Sequence, residues 1–332
     1  MDQTLMVRGD TLEHLVPSPA EARAWQVIRA LAGYARRTAT DPPQGHGSRP
    51  GGAAAGTPLA MRFADTAGRR WTWRPDQGWV AEPPAADPVE RDLLDLYLPL
   101  CVPVVDGCRM TAHLGQSLDG YIATANGDSC FVTGPDNIRH LHRMRALSDG
   151  VLVGTETAAR DDPRLTTRLV PGANPVRIIL DRQRRLGSHL RVFNDGAAAT
   201  LLCCDRAYVT AGRDRQGQAR VIGLPIHDGR LDLIALAETL AELGLRRIFV
   251  EGGGATVSAF LTAGLLDRLQ IAVAPLLIGT GRPGLRIPAP ERLADARRPA
   301  ARLFRMGADL LYDLDLRRGS TAAPLTPVTR IL

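Results

Sequence analysis

The spacing of apolar positions changes character near residue 105. Before that point the patterns are short and separate. Ala22, Trp25, Ile28 and Ala32 recur at helical intervals and predict a helix over residues 19–37. Residues 40–58 are rich in Pro, Gly and Ala and read as a flexible linker. Residues 61–80 carry Trp71, Trp73 and Trp79 around Pro75-Asp76-Gln77-Gly78, which predicts a short antiparallel hairpin. Alternating tryptophans can form a ligand platform, but in a small sheet they serve chiefly to pack it, and packing is the expectation. A second Pro/Ala stretch at 82–88 leads into a short helix over 89–98.

From Arg109 onward, short apolar runs alternate with helical patterns. Strands are predicted at 109–115, 150–153, 176–180, 199–204, 247–250 and 270–274, with helices at 135–147, 231–243 and 255–263. Such an alternation implies a mainly parallel sheet covered on both faces, the α/β class. A last pair of strands, 302–306 and 310–316, flanks Gly307-Ala308-Asp309 and predicts an antiparallel hairpin at the sheet edge. The expected organisation is an N-terminal appendage of unassigned role (1–104), a catalytic-type domain (105–318) and a tail (319–332).

Composition adds constraints. The 332 residues are 45% hydrophobic and 23% charged, ordinary for a globular chain. No apolar run approaches the ~18 residues of a membrane span, and Met1-Asp2-Gln3-Thr4 lacks the basic-then-apolar start of a secretion signal. A cytoplasmic location is expected, without membrane association. The net charge of +6 is spread along the chain, which suits anionic small molecules and does not argue for nucleic acid. Cys101, Cys108, Cys130, Cys203 and Cys204 show no zinc-like spacing. Adjacent Cys203 and Cys204 lie in an apolar run, so buried free thiols are expected and a metal site is not.

Three clusters carry candidate chemistry. In the first, an apolar run (Ile248-Phe249-Val250) enters Glu251-Gly252-Gly253-Gly254-Ala255-Thr256 and then a helix. Glycines there let a backbone approach a phosphate, and the helix N-terminus presents unpaired N–H groups. One glycine would suffice for a plain turn, so the triplet alone is weak. A carboxylate at the C-terminal end of a buried strand, Glu251, sharpens the case because α/β ligands bind there. In the second, Gly154 to Arg168 gathers hydroxyls, acids and arginines after another buried strand. Asp161 or Asp162 could merely cap a turn before Pro163, whereas Arg168 suits a phosphate monoester. The third, Thr111 to Ala123 with Asn126-Gly127-Asp128-Ser129, holds Ser117-Leu118-Asp119-Gly120, a tight turn at a strand end.

Taken together and in order, these pieces resemble the reductase domain of the bacterial bifunctional riboflavin-pathway deaminase/reductase family. The resemblance rests on Ser117-Leu118-Asp119-Gly120, Arg145 within Leu141-His142-Arg143-Met144-Arg145, Val153-Gly154-Thr155-Glu156-Thr157, Asp161 to Arg168, Pro175 to Asp181, and Glu251-Gly252-Gly253. It spans about two-thirds of the chain. It implies a dihydrofolate-reductase-like three-layer α/β/α fold, NADPH as cofactor, a phosphoribosylamino-pyrimidine as substrate, and a homodimer. Ser129, Arg145, Leu165, Arg168 and Glu251 are implied to hold substrate. Gly115, Phe131, Thr157, Asp161 and the segment from Gly253 through Gly254, Ala255 and Thr256 to Ala259 are implied to hold NADPH. Arg182, after the strand ending at Asp181, would pair with the 2′-phosphate. Glu251 and Asp161 are the candidate catalytic residues.

The implied reaction opens the aminated ribose and delivers hydride to C1′, giving a ribitylamino product. Arg145 and Arg168 would grip the phosphate, Glu251 would anchor a substrate donor, and Asp161 and Thr157 would fix the nicotinamide half. Asp119 is expected to stabilise its own turn. Position 113 departs from the family: histidine stands where bacterial enzymes commonly carry lysine, and His113 either donates a hydrogen bond or proton, or fills space. Phe131 replaces a common tryptophan and keeps the aromatic surface. The zinc-dependent deaminase half is not expected, because residues 1–104 contain no His-x-Glu and no Cys-x-x-Cys. A separate deaminase is then a candidate partner. The principal substrate expected is the deaminated 5-amino-6-(5-phosphoribosylamino)uracil. Alternatives are the non-deaminated 2,5-diamino pyrimidinone phosphate, another heterocycle such as dihydrofolate, or non-catalytic NADPH binding.

Overall fold

A computed structural model describes residues 16–40, 61–209, 212 and 214–317. The linker expected at 40–58 therefore lies, beyond Thr40, outside the described residues, as does the tail at 319–332. Between Asp106 and Gly107 the chain divides into two compact units.

In the first unit, α1 (Pro19–Thr40) opens on a reciprocal cap: Ser18 N donates to Glu21 Oε2 at 2.9 Å and Glu21 N to Ser18 Oγ at 3.2 Å. Its apolar stripe buries Trp25, Ile28, Leu31 and Ala35. The expected hairpin has a third strand. Strands β1 (Arg62–Ala64), β2 (Arg70–Arg74) and β3 (Gly78–Glu82) form one antiparallel sheet, with Trp73 paired to Trp79. Trp71 and Trp79 are buried, their indole N–H groups donating to Asp65 Oδ2 (3.1 Å) and to the Cys101 carbonyl (2.6 Å). The tryptophans thus pack this unit. Helix α2 (Pro88–Tyr97), capped by the Asp87 side chain, sets Tyr97 edge-on to Trp25 at 5.8 Å.

The second unit begins with β4 (Arg109–Ser117), β5 (Tyr121–Thr124), α3 (Pro135–Leu147), β6 (Gly150–Gly154), α4 (Thr155–Asp161), β7 (Val176–Leu180), α5 (Arg191–Asn194) and β8 (Thr200–Asp205). It continues with β9 (Arg215–Gln216), β10 (Ala219–Leu224), β11 (Ile226–His227), β12 (Arg230–Leu231), α6 (Leu233–Glu242), β13 (Arg247–Val250) and α7 (Gly254–Thr262). The last strands are β14 (Arg268–Ala274), β15 (Gly281–Pro283), β16 (Ala300–Met306) and β17 (Asp309–Asp315).

The main sheet runs β16-β17-β14-β4-β13-β6-β7-β8-β10-β9. Every neighbouring pair from β14 to β10 is parallel, and the antiparallel strands lie at the two edges. The α/β class and the antiparallel C-terminal hairpin are as expected. Strand alternation then assigns faces. Met110, Ala112, Leu114, Leu152, Ile248 and Val250 pack with α6 and α7 through Leu236, Leu240, Val257 and Phe260. The opposite face turns His113 and Gln270 toward Asn137 and His140 of α3. Several elements depart from the sequence expectation, which predicts none of the short β5, α5, β9, β11, β12 and β15. Residues 155–161, read as loop, form α4, and β10 extends the parallel sheet.

Candidate active site

The site is built where β6 and β13 end side by side. Glu251, the residue after β13, donates its N–H to Leu152 O on β6 at 2.9 Å. The two strand exits touch: a Cβ on Gly154 would collide with Thr256 Oγ1, and one on Gly253 would lie 3.3 Å from Thr157 Oγ1. Thr157, Gly253 and Thr256, three of the expected cofactor positions, are therefore neighbours at the C-terminal ends of adjacent parallel strands, where α/β folds bind ligands.

Each glycine of the triplet has its own reason. A Cβ on Gly252 would sit 2.8 Å from Val153 Cα, and one on Gly254 would collide with the Gly284 carbonyl oxygen, so these two serve close packing. Gly253 is the N-cap of α7 and offers no side-chain cap. Thr256 and Val257 donate their N–H groups to Gly253 O at 3.0 and 3.2 Å. Among the described residues no acceptor takes the N–H groups of Gly254 and Ala255. Those two donors, with the positive end of the helix dipole, fit an anionic group such as a dinucleotide phosphate.

Beside these strand ends, Arg145 of α3 closes on Glu251. Its Nε donates to Glu251 Oε2 at 2.7 Å and Nη2 bonds Oε1, a bidentate pair whose side chains are only 9% and 11% exposed. Arg145 Nη1 donates to Thr166 O at 3.0 Å, and Thr166 Oγ1 accepts Arg168 Nη1 at 2.7 Å. A continuous chain of contacts thus runs from Arg168 through Thr166 and Arg145 to Glu251 and the glycine turn. Arg145, expected to grip phosphate with Arg168, has three of its guanidinium N–H groups committed to the protein instead.

The loop after α4 is tightly constrained. Asp162 and Leu165 take left-handed backbone angles (φ 37° and 52°), unusual for residues other than glycine. Arg191 holds Asp162 through its N–H (2.7 Å), and Leu165 is buried. Asp161 lies on the surface at the end of α4, where partial desolvation raises its carboxyl above the usual range against the pull of Arg160.

The β4–α3 connection supplies the remaining expected residues. Gly115 lies under Thr133, which a Cβ would meet at 2.7 Å. Phe131 is exposed with φ 59°, and Ser129 is also exposed. Asp119 does stabilise its turn, accepting from Ser117 Oγ, and it also accepts the backbone N–H of Gly279 at 2.7 Å. The Ser117 hydroxyl and those backbone donors hold its carboxyl below the ordinary range.

His113 is resolved by its surroundings. Asn137 Nδ2 donates to Thr133 Oγ1 at 2.8 Å, so Asn137 Oδ1 faces His113 Nε2 at 3.0 Å and the histidine donates from Nε2. Burial lowers its pKa to about 4 despite that bond, which favours a neutral, enclosed imidazole. In this structure its side chain is committed to the Asn137 amide. His140 donates onward to Gln270 Oε1 (2.9 Å), which leads to buried Asp313. Arg182 is exposed beyond β7, and its side chain makes no hydrogen bond or ion pair with the described residues. Among the cysteines, Cys101, Cys203 and Cys204 are buried free thiols, but Cys130 is exposed.

His142 was not a sequence candidate. Its Nδ1 accepts the Arg168 N–H at 2.9 Å, and burial with the nearby Arg145 and Arg168 cations lowers its pKa to about 3. No local pattern marks it. Its role arises only when α3 meets the 161–168 loop. Among the described residues, no helix is long and apolar enough to cross a membrane, and no three His, Cys, Asp or Glu side chains gather as a metal site.

A mainly parallel sheet with an antiparallel C-terminal hairpin, whose strands β6 and β13 end side by side, defines a dihydrofolate-reductase-like domain. The chain belongs to the RibD C-terminal domain family, whose profile matches residues 109–296. That family comprises reductases of riboflavin biosynthesis, and the match covers the reductase domain without a deaminase domain. The chain is 34% identical over 212 residues to a 2,5-diamino-6-ribosylamino-4(3H)-pyrimidinone 5′-phosphate reductase of Methanothermobacter thermautotrophicus, covering 62% of this chain and 96% of that one. It is also 34% identical over 197 residues to the riboflavin biosynthesis protein RibD of Escherichia coli K12, covering 55% and 53%, so it spans about half the length of that relative. Acinetobacter baumannii RibD superposes with a TM-score of 0.55 at 26% identity, over 68% of this chain and 62% of that one. The riboflavin biosynthesis reductase Rib7 of Saccharomyces cerevisiae shares the fold at a TM-score of 0.54 and 21% identity, over 67% and 96%.

Proposed function

We propose that this protein is an NADPH-dependent reductase that converts the ribosyl group of a phosphoribosylamino-pyrimidine to a ribityl group. The observation that carries the reading is the Arg145–Glu251 pair at the end of β13, linked on one side to Thr166 and Arg168 and on the other to the uncapped N-terminus of α7. An oriented carboxylate, a basic loop and a helix N-terminus match a sugar phosphate and a dinucleotide brought together.

The residues fit the cofactor: Gly254 and Ala255 N–H would take a phosphate, with Thr157, Asp161, Gly115 and Phe131 along its path. NADPH supplies hydride when bound, and the protein supplies positioning and exclusion of water. Arg168 binds the substrate phosphate. Glu251 accepts a hydrogen bond from the substrate through lone pairs that Arg145 leaves available, and Arg145 acts as a positioning residue. Leu165 packs the substrate side of the crevice, and Ser129 adds a hydroxyl from the facing loop. In this reading Arg182 meets the 2′-phosphate, deamination belongs to a separate protein, and the enzyme works in the cytoplasm as a homodimer.

The test follows NADPH absorbance while the purified chain is offered the deaminated and the non-deaminated pyrimidine phosphates, with dihydrofolate as control. Oxidation with either pyrimidine supports the reading. Oxidation with neither, or with dihydrofolate alone, overturns it. The deaminated substrate is the principal reading. The archaeal relative matched over 96% of its length carries the non-deaminated substrate in its name, which favours that compound as the second. Arg168→Ala should raise the KM for the phosphorylated pyrimidine about tenfold, the size of one charge-assisted contact, while the KM for NADPH stays within about twofold. Equal effects on both would remove Arg168 from the substrate side.

A further inference from the structure

Two arginines that no reading so far uses meet at one point beside the crevice. Gly127 lies in the turn after β5, with φ 90° and its N–H donated to Thr124 O at 2.9 Å. A Cβ built on it would sit 2.9 Å from Arg160 Nη1 and 3.1 Å from Arg282 Cζ. The two guanidinium groups therefore lie within about 6 Å of each other. They come from separate places, Arg160 from the last turn of α4 next to Asp161, and Arg282 from β15, which pairs with β5.

The carboxylates nearby do not account for this convergence. Glu156 pairs with Arg160 Nε at 3.0 Å but is three-quarters exposed, where such a pair contributes little. Asp128 accepts the Cys130 N–H at 3.0 Å. Asp161 adjoins Arg160 in sequence and acts electrostatically on Cys130, which places it at the edge of the same turn. Among the described residues none of them, nor any other acceptor, engages the half-buried Arg282. Two cations held together repel, and the arrangement is favourable once an anion spans both forks. Glycine at 127 keeps that space open, since any side chain would occupy the point where the guanidinium groups meet.

We propose that Arg160 and Arg282 form a clamp over Gly127 for a phosphate group of a ligand in the reductase crevice. The inference rests on the proposed function, because the clamp borders Asp161 and the loop bearing Ser129 and Phe131. The phosphate belongs to the cofactor or to the sugar of the substrate, and it is gripped by two side chains distinct from Arg145, Arg168 and Arg182.

The test uses the full chain and its R160Q, R282Q and double variants, whose melting temperatures should match the wild type because the Arg160–Glu156 pair is exposed and Arg282 holds no hydrogen bond or ion pair with the described residues. Calorimetric titration with inorganic diphosphate should show saturable binding that each single variant weakens at least tenfold. The same titrations with NADPH, NADH, and the pyrimidine riboside with and without its 5′-phosphate locate the group. Loss with NADPH alone marks the 2′-phosphate, equal loss with NADH marks the diphosphate bridge, and loss confined to the phosphorylated pyrimidine marks the sugar phosphate. Unchanged affinity for all of these in the double variant overturns the clamp. If the wild type binds no organic ligand, diphosphate decides: tenfold weakening in the variants keeps the clamp while the reductase reading falls, and equal affinity removes both.

Discussion

Arg145→Ala is expected to remove most of the activity and to destabilise the second unit by about 3–5 kcal/mol, the cost of leaving a buried charge without its partner. Glu251 is 11% exposed and both its oxygens are engaged by this one guanidinium, so deletion strands a carboxylate in a low-dielectric setting. Arg145 Nη1 also holds the Thr166 carbonyl, so the loop that carries Arg168 loosens as well. For a unit of this size the loss lowers the melting temperature by roughly 10 °C. Arg145→Lys keeps the charge but cannot form the two-point fork, so stability should recover in part while kcat stays about a hundredfold down, an orientation effect. Thermal melts and steady-state kinetics on the three proteins check this. Should the lysine variant recover full kcat, Arg145 would be a counter-ion only, and the positioning role would be lost.

Acid should inactivate and unfold the protein together, between pH 6.5 and about 4. His113, His140 and His142 are neutral in the folded state because burial depresses all three pKa values, to about 4 for His113 and about 3 for His142. In the unfolded chain each titrates near 6.5. Below that pH the unfolded state binds more protons than the folded one, so stability is full above pH 6.5 and is lost as pH falls toward the folded values. Each group contributes up to about 1.4 kcal/mol per pH unit across that window. Three of them together remove about 4 kcal/mol per unit, enough over two or three units to exhaust most of a total stability of about 5–15 kcal/mol. Activity falls along with it, since a protonated His142 would lose the Arg168 N–H and stand as a third cation beside Arg145 and Arg168. Denaturant unfolding at pH 7.5 and pH 5 provides the check. His142→Gln keeps an acceptor for Arg168 without a proton to bind, and should flatten the decline by about 2 kcal/mol over that range. An unaltered pH slope in this variant would show that His142 is not among the groups responsible.

These two expectations concern the same construction. Four of the buried polar side chains of α3 find a partner on another element: Asn137 at His113, His140 at Gln270, His142 at the Arg168 backbone and Arg145 at Glu251. A helix this polar would remain exposed on composition alone. These four cross-element hydrogen bonds make it a structural layer that also aims the site.

Several parts of this protein were decided by the sequence on its own. The strands at 176–180 and 247–250 and the helix at 135–147 appear with the bounds the pattern predicts. Apolar runs between polar or glycine residues carry enough local information to set an element's type and length. The ordered motifs likewise sufficed to indicate the family, because each is a short stretch whose residues act together. Other features depended on tertiary structure. The 154–168 stretch reads as one polar loop, yet its first half is α4, since Glu156, Ala159 and Arg160 face solvent and seven residues are too few to show a period. The pairing of Arg145 with Glu251 spans 106 positions and exists because β13 inserts between β4 and β6, a placement no local spacing encodes. The sequence leaves His113 between donating a hydrogen bond or proton and filling space, and only the covering of its strand by α3 buries the imidazole against Asn137. Local propensity is written over a few residues, whereas burial, charge pairing and the shape of the crevice follow from strand order, and that forms only when the whole sheet assembles.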